Sequence, residues 1–340
     1  PAPSAPAPAV PAPAAPPDAA PQEPAVVALP LPGCTPCSDS HRDPHRDPDR
    51  DPGAVLRLGW APDQQLTLDG AVRGLLDQVA RHTAQALRLA LAHEEQRTVA
   101  HALRNAVLPE RLPQPAGWHL AAGYVPAVRQ PTVGGDWYDA FALDGDRLAL
   151  TIGDAAGHGP EAARVMSSLR NALRAYAVLG EGPHRVLERL DHLLARTDTE
   201  AFATAVHLEV GLDDGRVVWS GAGHPPPLVV RRANGTTAPA FARQGGPVDP
   251  PLGTPAVGAR HTASFRLRPG DSLLLYTDGL VERRDREVDT GLELLGHAAA
   301  GAPAGPGQIE AILRQLLGGV DPADDVCLLA LTRLPAGEPS

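Results

Sequence analysis

From Trp118 onward, short apolar runs alternate with tight-turn signals, a pattern that builds antiparallel sheet. Leu143-Asp144-Gly145-Asp146 reads as a hairpin turn between two such runs. Asp213-Asp214-Gly215 reads as another, joining strands expected over 204–210 and 216–220. Pro269-Gly270 precedes an apolar strand at 272–276, and 325–331 closes the pattern as a strand. Between these runs Ala162, Met166, Leu169, Leu173 and Ala177 recur at helical spacing. Further helices are expected near 184–196 and 308–317. Strands dominate and the helices form two groups, so the expected class is α+β, a β-sandwich flanked by helices spanning 118–334.

Upstream the chain is built differently. Of its 38 prolines, 16 fall within residues 1–52, in Pro-Ala and His-Arg-Asp-Pro repeats with few large apolar side chains. Such a stretch cannot bury enough surface to offset its ordering entropy, so 1–52 is expected to be disordered. Cys34 and Cys37, with His41 and His45, are too closely spaced for the usual structural zinc sets. Residues 53–60 read as one strand, and a helix is expected near 67–107. Val72, Leu76, Val79, Thr83, Ala86 and Ala90 trace a heptad seam, which resumes at Ala100, Leu103 and Val107 after the polar break at 93–97. Two readings of that helix stand side by side: packing on its own domain, or pairing two chains as a signal-transmitting coiled coil.

Charge and composition exclude several classes. All 30 basic residues are Arg, against 40 acidic ones, and the net charge of −10 disfavours a nucleic-acid binder. Three cysteines are too few for a disulfide scaffold. No apolar run has the length of a membrane span and no leader pattern is present, so a cytoplasmic protein without a membrane partner is expected. The first residue is Pro rather than Met, which reads as a piece of something longer.

Four segments place an Asp beside Gly or a second Asp at the end of an apolar run: 133–136, 152–154, 276–279 and 323–325. Strand ends let a rigid sheet aim side chains at one point, and small neighbours let an ion approach the backbone. Asp-Gly is also a common turn dipeptide, so the inference rests on the four occurring together. Converging carboxylates cannot all stay ionised without a counter-charge. Two hard divalent cations with oxygen ligands, Mn²⁺ or Mg²⁺, would provide one. Spaced roughly 3.5–4 Å apart, such ions activate a water and clamp a phosphoryl group.

Val133-Gly134-Gly135-Asp136-Trp137-Tyr138-Asp139, Ile152-Gly153-Asp154-Ala155-Ala156-Gly157-His158-Gly159, Ala222-Gly223-His224-Pro225-Pro226, Tyr276-Thr277-Asp278-Gly279-Leu280 and Asp324-Asp325 follow one another in this order. Their order resembles that of the bacterial PPM-type (PP2C-like) serine/threonine phosphatases, in particular the SpoIIE/RsbU group. The likeness covers about residues 103–334, with 103–109 similar to the segment that joins a sensor helix to the phosphatase. Residues 53–90 resemble the last strand and helix of a GAF sensor domain. The resemblance implies an α-β-β-α sandwich and a dinuclear Mn²⁺ or Mg²⁺ site. By that analogy Asp154 bridges both ions, the Ala155 carbonyl is a further ligand, Asp278 and Asp324 bind the second ion, and Asp136 ligates or orients through water. Eukaryotic relatives carry a His where this chain has Ala156, which leaves His158 as the candidate proton donor, or as a residue shaping the turn into the next helix. The phosphate-binding Arg of eukaryotic relatives finds no placed counterpart; Arg129 is the nearest, with a solvated-surface role expected for it, and Cys327 stands where relatives often have Thr. Ala222–Pro225 is expected to be a structural turn, with a role near the site as the alternative, and Trp137 and Tyr138 are expected to pack. The resemblance further implies a phosphoprotein substrate, a STAS-type anti-anti-sigma factor. The alternatives are a catalytically silent signalling scaffold or a metal hydrolase of small phosphoesters.

Overall fold

The computed structural model describes residues 25–30, 55–60 and 69–335, apart from 110, 128–133, 199, 234–235, 243–248, 255–258, 284–286 and 320–321. Cys34, Cys37, His41, His45, Arg129 and Val133 lie outside the described residues. The chain divides into two compact units, 1–94 and 95–340.

In the first unit, β1 (Ala25–Pro30) pairs antiparallel with β2 (Val55–Trp60). The reading of 1–52 as disordered throughout did not include β1. Its Ala-Val-Val-Ala-Leu stretch is the one continuous apolar run of that segment, and the strand expected at 53–60 supplies its partner. Helix α1 (Gly70–Val107) starts where Asp69 caps it, its carboxylate accepting from the Val72 N–H at 2.8 Å. Ala80 and Ala84 are buried with Leu56 and Leu87 packed beside them. The helix therefore turns a face one residue off the expected seam toward β2. Leu75, Val79 and Leu89 remain exposed.

The second unit is a sandwich of two five-stranded antiparallel sheets. One sheet runs β10 (Ala263–Arg266), β7 (Arg216–Ala222), β6 (Ala203–Gly211), β5 (Arg147–Ala155) and β4 (Asp136–Leu143). The other runs β3 (Trp118–Val125), β12 (Val326–Arg333), β11 (Ser272–Tyr276), β8 (Leu228–Ala233) and β9 (Thr236–Phe241). Helices α2 (Pro160–Val178) and α3 (Pro183–Thr197) cover the first sheet, where Met166, Leu169, Leu187 and Leu190 pack on Trp137 and Phe141. Helices α4 (Val288–Gly301) and α5 (Gln308–Leu317) cover the second, with Leu295, Ile309 and Ile312 against Leu274, Leu328 and Ala330. Between the sheets lie Leu148, Leu150, Ile152, Val206, Leu208, Leu273, Leu275, Leu329 and Leu331. Alternation along each strand thus assigns its odd and even residues to different layers. The expected sandwich is what the chain forms.

The hairpin turns stand where the sequence puts them. Asp146, with φ of 53°, and Gly145, with φ of 72°, make the tight β4–β5 connection. Strands β8, β9 and β10 and helix α4 were not anticipated. Helix α4 begins and ends in Gly-containing sequence of low helix propensity. β9 carries Pro239, which a strand tolerates because it lies at the sheet edge. Among the described residues no helix is long and apolar enough to cross a membrane.

On the helix-facing side of β6, His207 is fully buried and its pKa is pushed down to about 4 by that burial. In the unfolded chain the imidazole titrates near 6.5. Above that pH it is neutral in both states and pH-independent. Below it, the unfolded chain takes up a proton that the folded one refuses, so stability falls as pH drops from 6.5 toward about 4. The loss amounts to about 3 kcal/mol at the lower end. Urea midpoints for the protein and for His207→Leu at pH 7.5 and pH 5 check this: the substitution is expected to remove much of the acid sensitivity.

Candidate active site

The pleat brings acids together at one end of the gap between the sheets. Asp136 opens β4, Asp154 lies near the end of β5, and the two are register partners. Both fall on the face that carries Leu150 and Ile152, so their side chains enter the gap between the sheets. From the opposite sheet, Asp278 follows β11 in a single turn of 3-10 helix, and Asp324 and Asp325 precede β12. Thr277 ties these two segments: its backbone N–H donates to the Cys327 carbonyl at 3.1 Å, and its hydroxyl accepts from the Cys327 N–H at 2.9 Å.

Glycines allow the close approach. A Cβ on Gly135 would lie 1.8 Å from the Ala155 carbonyl oxygen and 2.6 Å from Asp154 Oδ1. One on Gly134 would lie 1.9 Å from Asp325 Oδ2, and one on Gly279 would lie 2.2 Å from the Asp325 carbonyl oxygen. Only residues without a side chain bring β4 and the turn after β11 so near the other acidic loops.

The charges oppose one another. Burial, then the Asp278 and Asp324 carboxylates, push Asp154 up to about 7. Burial, then Asp154, raise Asp136 well above the ordinary carboxylate range, and a hydrogen bond from Thr277 only partly offsets this. Asp278 is raised by burial and by Asp324. Asp136 Oδ2 is buried with no hydrogen-bond partner among the described residues. A buried oxygen lone pair aimed into a cluster of mutually repelling carboxylates fits a hard divalent cation. The cluster does not form a ready-made chelate: among the described residues no three His, Cys, Asp or Glu side chains already form a set able to hold an ion.

Asp325 differs from its neighbour. It is buried, its carboxylate accepts from the Tyr124 hydroxyl and, at 2.7 Å, from the Ala127 N–H, and its own N–H donates to Asp324 Oδ1 at 2.8 Å. It therefore fixes the loop that carries Asp324, whose side chain is exposed. Sequence reasoning missed both Tyr124 and this role. His158 is exposed in the loop that follows β5. Trp137 is buried among helix contacts and Tyr138 packs between the sheets, as expected. Cys327 is buried. His224 is buried beside the acids: its Nδ1 lies 2.7 Å from the Thr204 hydroxyl and its Nε2 lies 3.0 Å from the Tyr276 carbonyl oxygen. Asp139, on the opposite face of β4, accepts from Arg170 at 3.0 Å and Arg174 at 2.9 Å and so fastens α2 to the sheet.

The Stage II sporulation protein E (SpoIIE) family model matches residues 144–334, more than half of the chain. Over 153 residues the chain is 31% identical to the phosphoserine phosphatase RsbP of Bacillus subtilis, covering 44% of this chain and 36% of that protein. Over 187 residues it is 26% identical to the phosphoserine phosphatase RsbU of the same organism, covering 55% of this chain and 53% of RsbU. The chain thus spans about half the length, or less, of these curated relatives. The crystal structure of the RsbU and RsbW domains of Rv1364c from Mycobacterium tuberculosis superimposes with a TM-score of 0.58 at 35% identity, covering 66% of this chain and 61% of that one. The likeness of residues 53–90 to a GAF domain is not confirmed by these matches.

Proposed function

The chain belongs to the SpoIIE family of PP2C-like phosphatases, and from that premise we propose that it is a metal-dependent protein serine/threonine phosphatase. The observation that carries this reading is the gathering of Asp136 and Asp154 from one sheet with Asp278 and Asp324 from the other: Asp154 raises Asp136, Asp278 and Asp324 raise Asp154, and Asp324 raises Asp278. Such a cluster is costly to keep ionised unless cations fill it.

In this reading Asp154 would help to hold two divalent cations, Mn²⁺ or Mg²⁺, by analogy with the family. Asp278, Asp324, Asp136 and the Ala155 carbonyl would be the other residues to hold them. The ions, when bound, supply the positive charge that a phosphoryl group and an attacking water need. The new P–O bond forms to the water oxygen as the bond to the serine or threonine oxygen breaks. By the same analogy His158, exposed in the loop that follows β5, is the candidate proton donor to the leaving oxygen, or else a residue shaping the turn into α2.

The substrate in this reading is a phosphorylated STAS-type anti-anti-sigma factor, and the protein works in the cytoplasm. The support is the likeness to RsbU and RsbP, both named phosphoserine phosphatases. Phosphate release from p-nitrophenyl phosphate and from a phospho-STAS protein, with Mn²⁺ and with EDTA, tests both levels. Metal-dependent turnover of the phosphoprotein is the expected result. Turnover of the small ester alone would point to a small-phosphoester hydrolase, and none on either would point to a silent scaffold.

Helix α1 is the proposed pairing surface of a homodimer that sets activity. Leu75 is 61% exposed and Leu89 64% exposed on a helix whose other face is already used. Light scattering should give twice the chain mass for the whole protein and a single chain mass for residues 108–340, with an altered rate. An unchanged association state and rate would refute this.

A further inference from the structure

His224 has a part in the site that its place in a Gly-His-Pro turn does not announce. Its ring is buried, and each nitrogen meets a different sheet. Tyr276 offers a carbonyl oxygen, which can only accept, so Nε2 carries the proton and donates at 3.0 Å. Nδ1 is then the acceptor, and the Thr204 hydroxyl donates to it at 2.7 Å. Thr204 is the register partner of Asp154 on β6, so Asp136, Asp154 and Thr204 form one row on the same face of the first sheet. Tyr276 ends β11, two residues before Asp278 on the second sheet. The imidazole therefore connects the strand beside one acid to the strand that delivers the other.

The ring is itself held from behind. Gly223 has φ of 66°, its N–H donates to the Asp249 carbonyl at 2.8 Å, and a Cβ there would lie 2.6 Å from Pro251. Residue 223 also bridges to Ala205 of β6. The backbone leading into His224 is thereby fixed to the first sheet, and only the ring reaches across.

We infer that His224, with Thr204, is a positioning residue that sets the separation between Asp154 and Asp278 and so the affinity of the site for divalent cations. The inference rests on the phosphatase reading above. Side chains one step removed from the ligands hold those ligands in place, and removing such a partner typically weakens metal binding about 10- to 100-fold.

Calorimetric titration of the metal-free full chain with Mn²⁺ tests this, with the melting temperature of the same metal-free samples as the second readout. Thr204→Val keeps the shape and deletes the hydroxyl, and Thr204→Ser restores the hydroxyl. The expected result is a Mn²⁺ dissociation constant about tenfold higher in Thr204→Val, near wild type in Thr204→Ser, and raised at least as much in His224→Leu. The metal-free melting temperature of Thr204→Val should stay close to wild type. Wild-type Mn²⁺ affinity in Thr204→Val, or equal weakening in Thr204→Val and Thr204→Ser, would overturn the positioning role while leaving the phosphatase reading intact. A wild-type chain that binds no Mn²⁺ would overturn both.

Discussion

Replacing Asp154 by Asn is expected to cut metal-dependent phosphate release by about a thousandfold or more, and Asp278→Asn to do the same, without unfolding the domain. An amide is nearly isosteric with a carboxylate but is a much poorer partner for a hard cation. The fold should survive because, in the metal-free sandwich, burial and neighbouring acids outweigh the hydrogen bonds these carboxylates make. Asp154 is pushed up to about 7, and Asp278 is raised, by burial and by neighbouring acids, so their ionised forms are disfavoured in place. Neutral side chains relieve that repulsion. The melting temperature of each metal-free variant should therefore equal or exceed that of the parent, whereas added Mn²⁺ should raise only the parent's. Near-parental turnover in both variants would remove the site assignment. Loss of turnover together with a collapsed melting transition would show the acids to be structural instead.

Gly135→Ala should be equally damaging by a different route. The added methyl would meet the Ala155 carbonyl at 1.8 Å and Asp154 Oδ1 at 2.6 Å. The first is backbone, and it belongs to the residue whose N–H donates to the Gly135 carbonyl at 3.0 Å, so neither strand end can swing aside alone. Relieving the overlap means parting β4 from β5 at the point where Asp136 faces Asp154. The expected cost is about 3 kcal/mol of stability and a rate at least about a hundredfold lower that saturating Mn²⁺ does not restore. Gly301→Ala, at the end of α4 with nothing within 4 Å of the new Cβ, is the control and should change neither quantity appreciably. Denaturant melts and rates at high Mn²⁺ on the two variants separate crowding at the site from a general intolerance of alanine.

Local grammar made much of the sandwich readable. The Asp-Gly turns at 144–145 and 214–215 mark the β4–β5 and β6–β7 hairpins because their geometry needs residues that accept positive φ. Helices α2 and α5 declare themselves by apolar spacing. Strand β10 has only four residues, and α4 lacks a strong periodic signal, so both depend on the surface they cover rather than on their own sequence. At the site, the acids were legible because each ends an apolar run. The side chains that hold them were not. Tyr124 and Asp325 are 201 positions apart and meet only because β3 pairs with β12. His224 and Tyr276 are 52 apart, and nothing in Ala-Gly-His-Pro reveals which carbonyl the ring will find. Asp139 did leave a trace: a lone acid inside Trp-Tyr-Asp-Ala-Phe has to find a cation, and Arg170 and Arg174 are the ones it finds.

The pairing of β3 with β12 has a consequence for how the protein comes into being. Trp118–Val125 is synthesised some two hundred residues before its hydrogen-bonding neighbour, Val326–Arg333. Until then an edge of the second sheet waits unpaired and the loop bearing Asp324 does not exist. The strands and helices of the first layer lie within 136–266 and carry only Asp136 and Asp154 of the four acids. On the phosphatase reading, the centre is complete only once β12 and the loop that precedes it have joined the second sheet.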